Sequence, residues 1–168
     1  MRDLAEDRGV DEIISPFDRS DVPGEGGRCL LDWWQSARDG DRLPSRQAFN
    51  PSIMGRYLNN VALIEWRADE AEFYVRLFGT GPTAILGWDP RGAAVSSLPF
   101  FEGVRERYLW AVEKARPYLC RSIPMRWAPK DYGPYSCVAV PLSDNGRDVD
   151  KLLTHATYDI RHGHTRLY

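Results

Sequence analysis

FYVRLFGTGPTAILGWDPRGAAV, residues 73–95, decides the fold. It opens on strict alternation, with Phe73, Val75 and Leu77 on one side and Tyr74, Arg76 and Phe78 on the other, the period of a half-buried strand. Gly79-Thr80-Gly81-Pro82 breaks the run, and Thr80 is placed to cap a short helix with Gly81 and Pro82 in its first turn. About one helical turn follows, to Leu86, where Gly87 stops it. Trp88-Asp89-Pro90-Arg91-Gly92 is a second loop. A strand that hands over to so little helix and so much turn covers one face of a sheet and can leave a pocket beneath the cover.

Reading outward, residues 60–66 form a strand, residues 68–71 a polar turn, and the strand at Phe73 completes an antiparallel hairpin. Upstream, residues 28–39 carry Leu30, Trp33, Trp34 and Ala37 at i, i+3, i+4 and i+7, one helical stripe. Adjacent tryptophans point about 100° apart on a helix. Two readings stay open: one ring faces the domain and the other a partner, or both lie on the domain. Between helix and hairpin runs a proline-bracketed connector, residues 43–51, and Asn50 is placed to cap a short helix over residues 51–57.

Downstream, residues 102–116 predict the longest helix, with Val104, Tyr108, Ala111, Val112 and Ala115 on one face and Pro117 as its stop. Three strands follow, over residues 118–127, 135–142 and 149–160. A Gly/Pro turn joins the first two, and residues 143–147 form a hairpin turn carrying an Asn-Gly signal. Pro124 and Pro141 cannot donate to a ladder, which places each at an edge, a bulge or a strand end. Two hairpins on either side of a helical crossover predict an α+β fold: one five-stranded antiparallel sheet, helices covering one face, and an N-terminal helix. The domain is expected over residues 28–160, between an acidic flexible arm (1–27) and a polar tail (161–168).

The totals agree with one soluble domain. The chain has 168 residues, 43% hydrophobic and 12% aromatic, enough apolar mass for a core. No apolar run approaches the ~18 residues of a membrane span. The charged N-terminus has no signal-peptide core, so a cytoplasmic location is expected. Net charge is −2, and residues 1–28 hold eight acids against four arginines. The remainder is near balance without a basic stripe, which argues against nucleic acid as a partner. Cys29, Cys120 and Cys137 make no CxxC pair and read as small buried apolar residues rather than metal ligands.

Arg76 is aimed at an anionic ligand, clamped to Asp89, or simply exposed on the outer face. Phe78, Thr80, Trp88 and Tyr108 are placed to line a cavity under the helical cover, where Tyr and Trp combine an apolar body with a polar handle. His155, alternating with Leu153 and Thr157, reads as a satisfied or exposed strand histidine. His162 and His164 with Asp159 are too sparse for a metal site. Glu65 and Asp89 are the acids available to an enzyme using the same cup. No nucleophile elbow, dinucleotide loop or P-loop is present.

The order of elements, with a glycine-rich short-helix section between strand two and the long helix, resembles a PAS domain. More closely it is similar to a bacterial family of stand-alone PAS-like proteins. The resemblance rests on Trp33, Trp34, Arg38 and Gly40, on Leu43-Pro44-Ser45-Arg46 through Asn50-Pro51, and on Leu63-Ile64. It continues in Arg76-Leu77-Phe78-Gly79-Thr80, Gly87-Trp88-Asp89 with Gly92, Pro141-Leu142-Ser143 and Asn145-Gly146. It implies a sensory or protein-interaction module rather than an enzyme. A small ligand would sit between sheet and helical cover, and a homodimer or signalling partner would engage the N-terminal helix, with Leu30, Trp33 and Trp34 as contacts. Neither flavin nor haem is supported: residues 80–92 lack the reactive cysteine, and all three histidines lie in the last strand or tail. A small cup-shaped isomerase or dehydratase and a pocketless interaction domain are the alternatives. A cavity of roughly 300 Å³ or more would separate a ligand-binding domain from a filled one.

Overall fold

The computed structural model describes residues 10–128 and 132–159. Helix α1 spans Glu25–Ala37, α2 Thr80–Leu86 and α3 Phe101–Lys114. The strands are β1 Val61–Arg67, β2 Glu72–Phe78, β3 Tyr118–Ile123, β4 Tyr135–Leu142 and β5 Lys151–Tyr158, with short 3-10 turns between. They form one sheet in the order β2-β1-β5-β4-β3, and every neighbouring pair is antiparallel. The expected α+β architecture is the observed one.

Strand alternation divides the sheet into two faces. Val61, Leu63, Val138, Leu153 and His155 share one face, paired as Val61 with His155, Leu63 with Leu153 and Val138 with His155. Helix α1 lies on this face, and its first turn meets His155 and Val138. Its apolar stripe is consumed there: Leu30, Leu31 and Trp34 are buried, and the Trp34 indole donates to the Pro141 carbonyl at 2.7 Å. Helices α2 and α3 cover the opposite face, which carries Ala62, Thr154, Ala156 and Tyr158.

Helix α1 begins three residues earlier than its stripe predicts, because Gly26 and Gly27 belong to its first turn rather than to a preceding loop. A Cβ on Gly26 would lie 2.2 Å from the His155 ring, so the helix approaches the sheet only without one. The segment before it is not free. Ile14 exchanges backbone hydrogen bonds with Leu119 at 2.8 and 3.2 Å, Val22 is buried, and Ile13 and Phe17 pack on the core. This corrects the expectation of a flexible arm for residues 10–24.

A bulge reorders β2. Leu63 pairs with Leu77 and Ile64 with Val75, so Arg76 has no opposite residue. Phe73 and Val75 face the core, but after the extra residue Leu77 turns outward, 39% exposed, and Phe78 turns in. The cap of α2 also differs from expectation: the cap position is Gly79, and Thr80 is exposed. A Cβ on Gly79 would stand 2.1 Å from the Asn59 carbonyl, and one on Gly81 would stand 2.0 Å from Asn60 Oδ1. The two glycines therefore serve close packing on residues 59–60.

Asn50 caps its turn as expected, its side chain accepting from Ser52 N at 3.1 Å, but the 3-10 segment runs Pro51–Asn60 with a break at Gly55. Strand β3 stops at Ile123, before Pro124. The β4–β5 connection is longer than the Asn-Gly signal predicts. Residues 143–150 form the loop, and Asn145 Oδ1 organises it by accepting from Arg147 N and Asp148 N. Ile160, His162, His164 and residues 129–131 lie outside the described residues.

Candidate functional site

The inner space lies between the sheet and the α2/α3 cover. It is a cavity of about 70 Å³ whose floor is Ala62, Thr154, Ala156 and Tyr158 and whose roof includes Pro82, Val104 and Tyr108. Phe78, Phe100, Met125 and Trp127 close its apolar side, with Phe78 and Phe100 stacked at 6.2 Å and Phe100 against Trp127 at 5.1 Å. Its polar side holds Tyr118, Tyr135, Tyr158 and Arg107. An outer cleft of about 670 Å³ shares the wall formed by Phe100, Val104, Arg107, Trp127 and Tyr135, and adds Glu12 and Arg126 at its rim. The space directly beneath the cover falls below the roughly 300 Å³ that would mark a ligand pocket, whereas the adjoining cleft exceeds it.

Arg107 is the chemical centre of both spaces. It lies on α3 between Val104 and Ala111, within the apolar stripe, and its side chain is 4% exposed. Its Nη1 pairs with the Glu12 carboxylate and its Nη2 donates to the Tyr135 hydroxyl at 2.6 Å. Its Nε–H is buried without an acceptor. Burial works against the guanidinium charge, yet its pKa is held above the ordinary value, and the negative partner among its neighbours is the Glu12 carboxylate. Burial raises the pKa of Tyr108, Tyr118, Tyr135 and Tyr158, so all four stay neutral hydroxyls at physiological pH. Among these donors and acceptors Glu12 is the carboxylate that balances Arg107. The arrangement offers a fixed cation and a set of hydroxyls in an aromatic box.

The sequence-predicted residues divide. Phe78 and Tyr108 line the cavity, and Tyr108 packs edge-on against Phe73 at 5.4 Å. Thr80 is exposed and outside it, because Gly79 took the cap position. Trp88 is 48% exposed on the loop after α2, also outside. Arg76 points to solvent from the bulge and pairs with Glu65 at 3.2 Å, not with Asp89, which is held by Arg91 at 2.7 Å. Glu65 is drawn below the usual carboxylate range first by its hydrogen bond from Arg67, and Asp89 first by the Arg91 backbone N–H. Both are ionised and neither lines the cavity, so the acids nominated for an enzyme are not in the cup.

Leu30 and Trp34 belong to the domain core, and Trp33 rests edge-on against buried Phe49 at 4.8 Å. Of the two readings of the tryptophan pair, both rings lie on the domain. The outward side of α1 shows exposed Asp32, Gln35 and Ser36, and of the three residues expected at a dimer contact Trp33 alone is half-buried rather than buried. His155 is neither satisfied nor exposed: it is buried and both ring nitrogens lack partners. The cysteines are free thiols, Cys120 buried and Cys29 and Cys137 half-buried. Among the described residues no three His, Cys, Asp or Glu side chains converge as a metal site.

Sequence reasoning missed Arg107, Trp127 and the tyrosines at the ends of β3, β4 and β5. The signal for Arg107 was its spacing, i+3 from Val104 and i−4 from Ala111, a charge inside a helix stripe. Tyr158 shares its face with Thr154 and Ala156 by simple alternation. Trp127 carried no local signal, since its place follows from where the chain turns after β3.

A family model described as PAS domain matches residues 25–117, from α1 to the end of the helical cover, one residue short of β3. Neither a curated protein nor a solved structure matches the chain. Among the described residues no helix is long and apolar enough to cross a membrane.

Proposed function

The chain belongs to the PAS domain family, whose model covers more than half of it, and from that premise we propose that it is a sensory module that binds a small ligand in the cleft between α3 and the β3/β4 end of its sheet. The observation that carries the reading is the buried guanidinium of Arg107 in the wall shared by the aromatic cavity and the outer cleft, with one N–H left without an acceptor. Buried polar groups in a filled core are as a rule hydrogen-bonded, and the Arg107 Nε–H departs from that rule. Ligand entry would act on the cover and on the segment that Glu12 ties to it, shifting the balance between two packings by its differential affinity for them. The protein works by binding rather than by chemistry on this reading, since the charged groups around the cavity are a cation and its counter-ion rather than an acid–base pair.

Native mass spectrometry of the purified full chain tests this. A bound small-molecule mass, lost on Arg107→Gln or on unfolding, is the expected result. A chain that carries no mass, and whose melting temperature no member of a small-metabolite panel moves, refutes the reading. The same spectrum reports the oligomeric state.

A further inference from the structure

We propose that the ligand is a small organic carboxylate that binds Arg107 in place of Glu12, a proposal that rests on the ligand-binding reading above. A guanidinium presents five N–H donors in a planar fork. In Arg107 one Nη1 and one Nη2 proton are engaged, by Glu12 and by Tyr135, and the Nε–H is buried and unmatched. A carboxylate is the acceptor whose two oxygens fit such a fork in pairs.

Charge decides whether the newcomer adds to Glu12 or replaces it. With Glu12 in place the Arg107 site is neutral. A second carboxylate would leave a net negative charge in surroundings where charges interact several-fold more strongly than in water. Replacement keeps the site neutral. Glu12 can leave, because its side chain is one-third exposed and has solvent to go to. The cleft rim then favours an anion, since its charged lining among the described residues is Arg107, Arg126 and Glu12, and departure of Glu12 leaves two cations. The rest of the ligand meets Phe100, Val104 and Trp127, which calls for an apolar or aromatic body. Glu12 thus acts as a built-in competitor, and its segment, bonded to the edge of β3 through Ile14 and Leu119, is the part that ligand binding would release.

The test uses the full chain with benzoate as probe and benzamide, its uncharged counterpart, as control. Benzoate is expected to bind by calorimetry and to raise the melting temperature, more weakly at high salt, while benzamide does neither. Glu12→Gln is expected to tighten benzoate about tenfold, because it removes the competitor and adds no charge. Arg107→Lys is expected to weaken benzoate at least tenfold; since Arg107 is buried, circular dichroism must show that this variant folds, and Glu12→Gln, at a partly exposed position, carries the test if it does not. Equal binding of benzamide, or benzoate binding that Glu12→Gln leaves unchanged or weakens, overturns the proposal. A co-purified neutral molecule with no benzoate binding overturns the carboxylate assignment and leaves the ligand-binding reading standing. Absence of both overturns the two together.

Discussion

His155 gives the most direct test of how this sheet is built. Its imidazole is 2% exposed beneath the first turn of α1, both ring nitrogens lack partners, and burial lowers its pKa from 6.5 to about 4. The surrounding walls are Val22, Pro23, Gly27, Leu119, Ser136, Cys137, Val138 and Thr157; none is charged, and the Cys137 thiol is held protonated. In the unfolded chain the ring titrates near 6.5, so above that pH it is neutral in both states and folding costs no proton. As pH falls below 6.5 the unfolded state takes up a proton that the folded state refuses until about 4, and stability drops across that window. The full loss is about 3 kcal/mol, and by pH 5 about 2 kcal/mol is already gone. The assay is urea unfolding of wild type and His155→Leu at pH 8 and pH 5. Other titrating groups are common to both chains and cancel in the difference. Wild type should lose about 2 kcal/mol relative to the variant between the two pH values. A difference that is the same at pH 8 and pH 5 would refute the argument, because it would mean that the ring is solvated or partnered in solution.

Three further predictions follow from packing. Gly79→Ala and Gly81→Ala each force a Cβ to about 2 Å from residues 59–60 and should cost about 3 kcal/mol in urea unfolding, with a lower melting temperature. Trp34→Phe removes the buried indole bond to the Pro141 carbonyl and some volume beneath α1, about 2 kcal/mol by the same measurement. The bulge at Arg76 predicts opposite fates for two apolar residues of one strand. Phe73→Ala should cost about 3–5 kcal/mol as a core truncation, while Leu77→Ala should stay within about 0.5 kcal/mol as a surface change; similar losses at both positions would mean that the strand runs without the bulge.

Much of the fold was legible because it is written in local periods. The alternation of residues 73–78, the helical stripe of residues 28–39 and the stop at Gly87 depend on backbone geometry that a short window contains. So did membership of the PAS family, since order and spacing of such windows carry it. The site was legible only in part. Phe78 and Tyr108 were named, yet Phe78 reaches the cavity by a route the alternation did not contain, the extra residue at Arg76. Thr80, Trp88 and Arg76 were placed by local logic and ended outside. Their positions depend on tertiary neighbours: Gly79 must hug Asn59, Trp88 stands exposed on the loop after Gly87, and Arg76 meets Glu65 across the hairpin.

By itself, then, the sequence determined the elements, their order and the hairpins, because each is a near-neighbour property of the chain, whereas the joining of the two hairpins through β1 and β5 links segments about 90 residues apart. Only the tertiary structure decided that Glu12 reaches Arg107 across 95 residues, that three strand ends bring their tyrosines to one wall, and that His155 is sealed beneath two glycines. Those outcomes are set by competition for buried volume and for hydrogen-bond partners between distant segments, and no short window of residues holds both sides of that competition.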